Sequence, residues 1–185
     1  MKILGLSGSL RRDSHNTNLL RAAAKVLPPG IELEIYDGLR ELPPYDADLD
    51  AEPAAPAVAA LRDAIAESDG VLIATPEYNG SIPGVLKNAL DWASRPFPEN
   101  ALRGKPVAVV GASTGLFGAV WAQAETRKVL GIIGADVIDG ELPVGQAHHA
   151  FSDDGLLAEP ELREALENLV GVLTARAGAA EAQAA

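Results

Sequence analysis

Apolar and polar residues follow one another along the chain in a pattern that predicts five strands separated by helices. A short run rich in Ile, Leu and Gly at 2–7 and continuous apolar runs at 70–74 and 107–111 are typical of buried strands, and the segment 135–138 predicts another. Between 31 and 35, apolar residues alternate with glutamates, which indicates a strand at the edge of a sheet. The strands with continuous apolar runs are therefore expected to be central and covered on both faces.

Helical periodicity fills the gaps between these strands. Apolar residues recur every three or four positions in five stretches, at 19–27, 58–65, 85–93, 119–133 and 162–173. Strands that alternate with helices form a parallel sheet, because right-handed crossovers place the helices over its two faces. Two strand orders stay open, the flavodoxin-like order 2-1-3-4-5 and a Rossmann-like order. In both, a ligand binds at the carboxyl ends of the strands, so the loops after the first, third and fourth strands are the candidate site.

Length and charge limit the possible domain organisation and the possible ligands. The chain has 185 residues, of which 48% are hydrophobic and 22% charged, and this suits one globular domain with its own core. We expect that domain to cover residues 1–177 and the small residues at 178–185 to form a flexible tail. The formal net charge of −11 disfavours binding to nucleic acid or to an anionic membrane, since no run of Lys or Arg offsets it.

The chain contains no cysteine, which excludes disulfides, cysteine nucleophiles and thiolate-held zinc or iron–sulfur clusters. Redox chemistry would then depend on a bound cofactor. Met1 leads directly into a strand without a signal-peptide pattern, and no apolar run approaches the ~20 residues that cross a bilayer. We therefore expect a cytoplasmic protein without a membrane partner.

The loop after the first strand has the composition of a phosphate site. It reads G-S-L-R-R-D-S-H-N-T-N from Gly8 to Asn18 and leads into a helix, whose N-terminal N–H groups and dipole favour an anion. Helix capping accounts for one or two of its hydroxyl and amide side chains but not for all of them. The glycine patterns of Walker A loops and dinucleotide-binding domains are absent, although Asp37 stands where a dinucleotide-binding domain has its ribose-binding acid.

The loop after the third strand reads T-P-E-Y-N-G-S-I-P-G from Thr75 to Gly84. Its prolines stiffen the backbone, its glycines permit a close approach to a ligand, and Tyr78 and Asn79 offer a flat apolar surface and an amide. Such a rim suits a planar heterocycle beside the bound phosphate.

These motifs resemble those of the NADPH-dependent FMN reductases, a family of flavodoxin-like fold that includes bacterial quinone, azo-dye and chromate reductases. The resemblance rests on G-S-L-R-x-x-S-x-N from Gly8, on P-E-Y-N-G-S-I-P-G-V-L-K-N-A-L-D-W from Pro76, and on G-K-P at Gly104. It implies a three-layer α/β/α sandwich with a five-stranded parallel sheet in the order 2-1-3-4-5. It also implies bound FMN, NAD(P)H as co-substrate, and a homodimer or homotetramer with an interface near Lys87 to Trp92, where core packing is the other interpretation of Trp92.

The same resemblance assigns the cofactor to three loops. It implies that the FMN phosphate is held in the first loop and that the isoalloxazine ring is bordered by the second. The small-residue loop A-S-T-G-L-F-G from Ala112 matches the one that closes the other side of the ring, although a helix-capping turn would explain it equally well. The predicted cofactor-binding residues are Ser9, Leu10, Arg11, Ser14, His15, Asn16, Pro76, Glu77, Tyr78, Asn79, Ser113, Thr114 and Gly115.

The predicted function is an FMN-dependent NAD(P)H oxidoreductase. Hydride passes from NAD(P)H to FMN, and two electrons then pass to a quinone, a free flavin, an azo compound or a metal oxyanion in a ping-pong cycle. No side chain is assigned a catalytic role, because the protein mainly orients the reactants. His148 and His149 are adjacent but lack the spacing of metal ligands, so no metal site is predicted. The alternative is a flavodoxin-like electron carrier without nicotinamide activity.

Overall fold

A computed structural model describes the backbone of residues 1–184 and the side chains of residues 1–180 and 182. Its centre is a parallel sheet in the order β2-β1-β3-β4-β5, with a sixth strand paired to β4. This order confirms the flavodoxin-like topology. The strands are β1 (Lys2–Ser7), β2 (Glu32–Tyr36), β3 (Gly70–Thr75), β4 (Pro106–Ala112), β5 (Asp136–Val137) and β6 (Pro143–Val144).

Five helices cover the sheet, as the apolar periodicity predicts. They are α1 (His15–Val26), α2 (Pro56–Ala66), α3 (Gly84–Ala93), α4 (Val120–Ile133) and α5 (Pro160–Ala184). Alternate residues of each central strand face opposite layers. In β3, Leu72 and Ala74 pack with residues of α1 and α5, whereas Val71 and Ile73 pack with residues of α2, α3 and α4. Two apolar cores, one on each face, therefore hold the three layers together.

The sequence predicts one strand, at 135–138, at the edge of the sheet beyond β4. The structure has two short strands at this edge, since β5 pairs with the beginning of β4 and β6 pairs with its end. The buried amide of Gln123 lies in the gap between them. It accepts a hydrogen bond from Leu142 N (3.1 Å) and donates one to Gly118 O (3.0 Å). A two-residue strand such as β6 has too few positions to show a period in the sequence.

Residues 37–56 are more buried than their Pro-rich composition, which is typical of an exposed loop, suggests. Leu39 and Leu42 are buried in the core beneath α2 and α3. The carbonyl oxygen of Pro43 accepts hydrogen bonds from Asn88 Nδ2 (2.9 Å) and from Trp92 Nε1 (2.8 Å). Trp92 is thus a core residue, and the core interpretation of this side chain is the correct one within the chain.

The last helix includes residues 178–184, whose small side chains predict a flexible tail. Ala185 lies outside the described residues, and both the domain limit at 177 and the flexibility of the tail stay predictions. Within residues 1–184, none of the helices combines the length and the apolar character needed to cross a membrane.

Candidate functional site

A cavity of about 240 Å³ opens at the carboxyl ends of β1, β3 and β4, where the three candidate loops meet. Parallel strands end at the same edge of the sheet, so residues far apart in sequence converge there. The cavity is lined by Ser9, Arg11, Ser14, His15, Asn16, Pro76, Glu77, Tyr78, Ala112, Ser113 and Thr114.

The first loop ends at a well-formed helix N-terminus. Ser14 has extended backbone angles and caps α1, because its hydroxyl accepts a hydrogen bond from Thr17 N (3.2 Å). Ser9 Oγ accepts one from Arg11 N (3.4 Å), which shapes the loop before the helix. The first turn of α1 contains no acidic residue. The helix dipole and the guanidinium of Arg11 therefore present positive charge to the cavity.

Asn16 lines the cavity, and both polar atoms of its side-chain amide are hydrogen-bonded. Its Nδ2 donates to Ala112 O and its Oδ1 accepts from Ala112 N, both at 2.9 Å. The residue is only 3% exposed. This pair of hydrogen bonds joins the beginning of α1 to the end of β4. Asn16 also lines the cavity, and one N–H of its amide is left for the phosphate contact that the resemblance implies.

The second loop forms a tight turn at its tip. Tyr78 and Ser81 exchange two backbone hydrogen bonds of 3.2 Å, and the residues between them, Asn79 and Gly80, have φ of 56° and 74°. Positive φ at both central positions is the requirement of a type I′ turn, and Asn-Gly is its preferred sequence. The turn holds the ring of Tyr78, which is 52% exposed, at the mouth of the cavity.

Two carboxylates fasten this loop to α4. Glu77 Oε2 accepts hydrogen bonds from Trp121 N (3.0 Å) and Ala122 N (3.1 Å), the free N–H groups of the first turn of α4. In return, Glu125 Oε2 accepts from Ser81 Oγ (2.6 Å) and Ile82 N (3.3 Å). The Ser81 hydroxyl, with a smaller effect from Ile82 N–H, holds the pKa of Glu125 below its ordinary value. We refer to these contacts of Glu77 and Glu125 as the carboxylate clamp.

The third loop lies against the chain that follows β6. Ser113 N donates to Val144 O (3.0 Å), and Ala147 N donates to Ser113 O (3.0 Å). Gln146 N donates to Gly115 O (2.9 Å). Backbone contacts thus hold the loop on its outer side, while Ser113 and Thr114 line the cavity on its inner side.

His15, the first residue of α1, is the histidine that lines the cavity. The ring of His15 stacks with Phe151 at a centroid distance of 6.5 Å. Burial lowers the pKa of His15, and the nearby charges of Arg11 and His148 lower it further. The rings of His148 and His149 are 4.0 Å apart. Among the residues whose side chains are described, no group of three or more His, Cys, Asp or Glu residues is arranged to hold a metal ion.

The residues of the cavity fit a phosphorylated planar cofactor. One end offers hydroxyls, a guanidinium and a helix N-terminus, which are the donors that a phosphate requires. The other end is a narrow rim of proline, tyrosine and small residues. The one carboxylate of the lining, that of Glu77, is turned toward α4 and away from an anion.

Comparison with known proteins agrees with this geometry. A sequence profile described as NADPH-dependent FMN reductase matches residues 1–149. The chain belongs to this family of FMN reductases. As a member, it is an FMN-dependent oxidoreductase with NAD(P)H as its co-substrate.

Individual FMN reductases and related enzymes are similar over most of the chain. An NAD(P)H-dependent FMN reductase of Pseudomonas aeruginosa is 41% identical over 174 residues, which cover 94% of this chain and 93% of the relative. A 2-hydroxy-1,4-benzoquinone reductase of a Burkholderia species is 48% identical over 130 residues, covering 70% and 69%. The solved structure of a flavoenzyme NAD(P)H:(acceptor) oxidoreductase from Paracoccus denitrificans superposes with a TM-score of 0.80 at 36% identity, covering 96% of this chain and 95% of that one.

Three predicted cofactor-binding residues of this FMN reductase do not line the cavity. Leu10 lines a neighbouring cavity, Asn79 lies at the tip of the turn, and Gly115 faces Gln146. The other predicted residues do line it, namely Ser9, Arg11, Ser14, His15, Asn16, Pro76, Glu77, Tyr78, Ser113 and Thr114.

Sequence reasoning missed two residues that shape the site. Ala112 lines the cavity, and its position as the last residue of an apolar strand could have revealed it. Glu125 holds the second loop from a helix that otherwise looks like an ordinary amphipathic element, and no local pattern in the sequence distinguishes it.

Proposed function

We propose that FMN binds across the cavity with its phosphate in the first loop and its ring on the rim. Ser9, Arg11 and Ser14, with the N-terminus of α1, hold the phosphate. Pro76, Tyr78 and the third loop border the ring, and His15 lies beside the phosphate end. The observation that carries this proposal is the single cavity that joins phosphate donors to a rigid planar rim.

Asn16 and Glu77 act in this proposal through the backbone. Asn16 keeps the phosphate loop at a fixed position relative to the end of β4, because both of its amide atoms bind Ala112. Glu77 keeps the second loop against α4. Rigid placement of this kind aligns two reactants without chemical participation of the protein.

We propose a ping-pong order of substrates and a quinone as the acceptor. When bound, FMN supplies the means to take a hydride from NAD(P)H and to pass two electrons to a second substrate. Tyr78 lines the cavity and is half exposed, and we expect the nicotinamide and a planar acceptor to reach the same face of the ring in turn from this side. The name of the Burkholderia relative supports a quinone, and free flavins, azo compounds and metal oxyanions are the other acceptors to be compared.

Flavin binding and anaerobic reduction test the proposal together. Protein saturated with FMN is mixed anaerobically with NADPH or NADH, and the visible absorbance of the oxidised flavin is expected to bleach. Addition of a benzoquinone is then expected to restore it without further nicotinamide. A protein that binds FMN but is not reduced by either nicotinamide would instead be an electron carrier.

A variant of Arg11 tests whether the first loop holds the FMN phosphate. Arg11→Gln is expected to weaken FMN binding about tenfold, because it removes a charge-assisted hydrogen bond to the phosphate. Arg176→Gln removes the same charge on α5, where Arg176 pairs with Asp136 at the beginning of β5, and is expected to bind FMN as the wild type does. Equal FMN affinity of the two variants would contradict the assignment.

We also propose that the protein is a homodimer or homotetramer and that it is cytoplasmic. A groove of about 310 Å³ between α3 and α4 is lined by Phe97, Val129 and Ile132, and two of these, Phe97 and Ile132, are exposed. A second copy of the chain would cover this apolar surface.

A further inference from the structure

Two exposed aromatic side chains form a pair beside the cavity on the side of α4. Phe117 belongs to the third loop, Trp121 is the second residue of α4, and both are more than half exposed. Their ring centroids are 5.2 Å apart at an interplanar angle of 64°, an edge-to-face arrangement that aromatic rings prefer. We refer to Phe117 and Trp121 as the aromatic pair. The contact between the two rings holds them in place although solvent surrounds most of their surface.

Exposure of these rings is notable because aromatic residues are scarce in this protein. The chain has two tryptophans, three tyrosines and three phenylalanines. Of these, Tyr78, Phe117 and Trp121 are each at least half exposed. Exposed apolar side chains that lie together mark a binding surface, and aromatic side chains contribute a large contact area to it. The aromatic pair is therefore a candidate contact for a ligand.

The aromatic pair is connected to the lining of the proposed FMN site at both of its members. Glu77 lines the cavity, and its Oε2 accepts a hydrogen bond from Trp121 N (3.0 Å). Thr114 also lines the cavity, and Phe117 follows it by three residues. Since three residues of extended chain span at most about 11 Å, Phe117 lies close to the third loop's part of the lining. A ligand larger than the cavity can thus extend onto the aromatic pair.

The chemistry of this surface suits a neutral and apolar ligand. No charged residue occurs between Ser113 and Ala124 in the sequence. The carboxylate of Glu77 is bonded to the N–H groups of α4. A neutral ring can pack on the faces and edges of Phe117 and Trp121, whereas an anion would lose its hydration there without gaining a positive partner.

The aromatic pair is separate from the apolar groove that a second copy of the chain is proposed to cover. That groove is lined by Phe97, Val129 and Ile132, and Trp121 is not part of its lining. Trp121 and Ile132 are eleven residues apart on α4, which places them about 16 Å apart along the helix axis. A second copy seated in the groove therefore does not by itself account for the exposed rings.

We propose that the aromatic pair binds the apolar end of the electron acceptor and thereby selects neutral quinones with a fused second ring. The proposal rests on the proposed function, in which a planar acceptor enters the cavity on the side of Tyr78. The quinone ring that accepts the electrons lies in the cavity, and the second ring packs on Phe117 and Trp121. Because these side chains do not touch the reacting atoms, they lower KM for such acceptors and leave kcat nearly unchanged.

Calorimetry with ligands that accept no electrons tests the surface directly. Protein saturated with FMN is titrated with 2-naphthol, which has a fused second ring, and with phenol, which lacks it. We expect the wild type to bind 2-naphthol about tenfold more tightly than phenol. Phe117→Gln and Trp121→Gln are each expected to lower this ratio about fivefold. Leu49→Gln, which changes an exposed apolar residue that does not line the cavity, is expected to keep the wild-type ratio.

Steady-state kinetics provide the second measurement. The ratio of kcat/KM for 1,4-naphthoquinone to that for 1,4-benzoquinone is expected to fall about fivefold in Phe117→Gln and in Trp121→Gln, through KM, and to stay unchanged in Leu49→Gln. Chromate, an anion without a ring, is expected to react equally with all four proteins. A quinone ratio that is the same in all four overturns the proposal. A loss of rate that extends to chromate also contradicts it, because the flavin site itself is then disturbed.

Sedimentation velocity on the same variants distinguishes an acceptor from a second copy of the chain as the ligand of the aromatic pair. Variants that assemble as the wild type does and bind 2-naphthol less tightly support the proposal. Variants that dissociate into monomers assign the aromatic pair to a subunit interface and overturn it.

The proposed function and the role of the aromatic pair fail in different ways. A wild-type protein that neither nicotinamide reduces contradicts the proposed function, whereas calorimetry with 2-naphthol still decides whether the aromatic pair binds an apolar ring. A reductase with full activity that binds 2-naphthol no more tightly than phenol contradicts only the role of the aromatic pair.

Discussion

Asn16 ties the beginning of α1, and with it the first loop, to the end of β4. Its partner, Ala112, is 96 positions away in the sequence, and both backbone atoms of that residue are bonded to the side-chain amide. The amide donates at one atom and accepts at the other, a pattern that a carboxylate can reproduce only when it is protonated.

Asn16→Asp is therefore expected to make stability depend on pH. Ala112 O repels an ionised carboxylate at position 16, and this repulsion lowers the free energy of unfolding by about 3 kcal/mol. It also raises the folded-state pKa of the new acid above its unfolded value of ~3.9. The protonated form restores both hydrogen bonds, so the deficit grows as pH rises through the folded-state pKa and shrinks on acidification. Urea denaturation between about pH 5 and pH 8 measures it. Asn16→Ala, which carries no titrating group, serves as the control, and a similar pH profile for both variants would count against the prediction.

His15 is expected to take up a proton when FMN binds. Burial and the charges of Arg11 and His148 keep its pKa below 6.5 without the ligand, and a phosphate beside it favours the protonated form. FMN affinity should thus rise as pH falls through this range. Calorimetry in buffers of different ionisation enthalpy measures the uptake, which His15→Gln should reduce. The same uptake in both proteins would show that the proton goes elsewhere.

Glu77 is expected to support cofactor binding by accepting hydrogen bonds from α4. Glu77→Ala removes two hydrogen bonds and is expected to weaken FMN binding about tenfold through a loosened second loop. Glu77→Gln keeps an oxygen acceptor and is expected to restore most of the affinity. Fluorescence titration of FMN measures both variants. If Gln is no better than Ala, the negative charge, and not the hydrogen bonds, is what Glu77 supplies.

At the scale of elements, the sheet edge beyond β4 depends on close backbone packing at Gly118. A Cβ there would lie 2.3 Å from Pro143 C and 2.5 Å from Val144 N, and the φ of 56° disfavours any side chain. This close packing keeps the third loop in contact with β6.

Gly118→Ala is expected to destabilise the protein by about 2–4 kcal/mol, because the neighbouring backbone must move. Gly131 lies in the exposed part of α4, and a Cβ added to it would meet no other atom within 4 Å, so Gly131→Ala is expected to stabilise by about 0.5–1 kcal/mol. Urea denaturation compares the two variants. A Gly118→Ala protein as stable as the wild type would mean that the third loop is not held by β6.

The elements themselves were largely predictable from the sequence, and their long-range contacts were not. The buried strand at 70–75 follows from an apolar run, and the turn at Asn79 follows from a dipeptide with a strong local preference. The engagement of Asn16 with Ala112 could not be predicted, because nothing local records a partner 96 residues away. For the same reason, the sequence did not show that the amide of this candidate phosphate ligand also joins two elements.

At the scale of the whole molecule, α4 presents an apolar surface to solvent. Ile132 is 72% exposed and Trp121, near the beginning of the same helix, is 53% exposed. Apolar groups in such positions contribute to association when a second chain covers them.

Ile132→Glu is expected to shift the protein toward monomer, because a buried charge opposes the association of two apolar surfaces. Val172→Glu adds the same charge at an exposed apolar position on α5 and is expected to leave the association unchanged. Sedimentation velocity at micromolar concentration compares both variants with the wild type. A wild-type protein that sediments as a monomer would contradict the proposed assembly.

The carboxylate clamp couples the position of α4 to ligand binding at the rim of Pro76 and Tyr78, which is proposed to border the flavin. Glu77 belongs to the rim and binds the helix, while Glu125 belongs to the helix and binds the loop behind the rim. Because these hydrogen bonds join the loop to the helix, we expect a ligand that favours one position of the rim to favour one position of α4 as well. By reciprocity, subunit association through α4 and cofactor binding at the rim would each strengthen the other. The cofactor would then be held more tightly in the assembled enzyme than in its separated subunits.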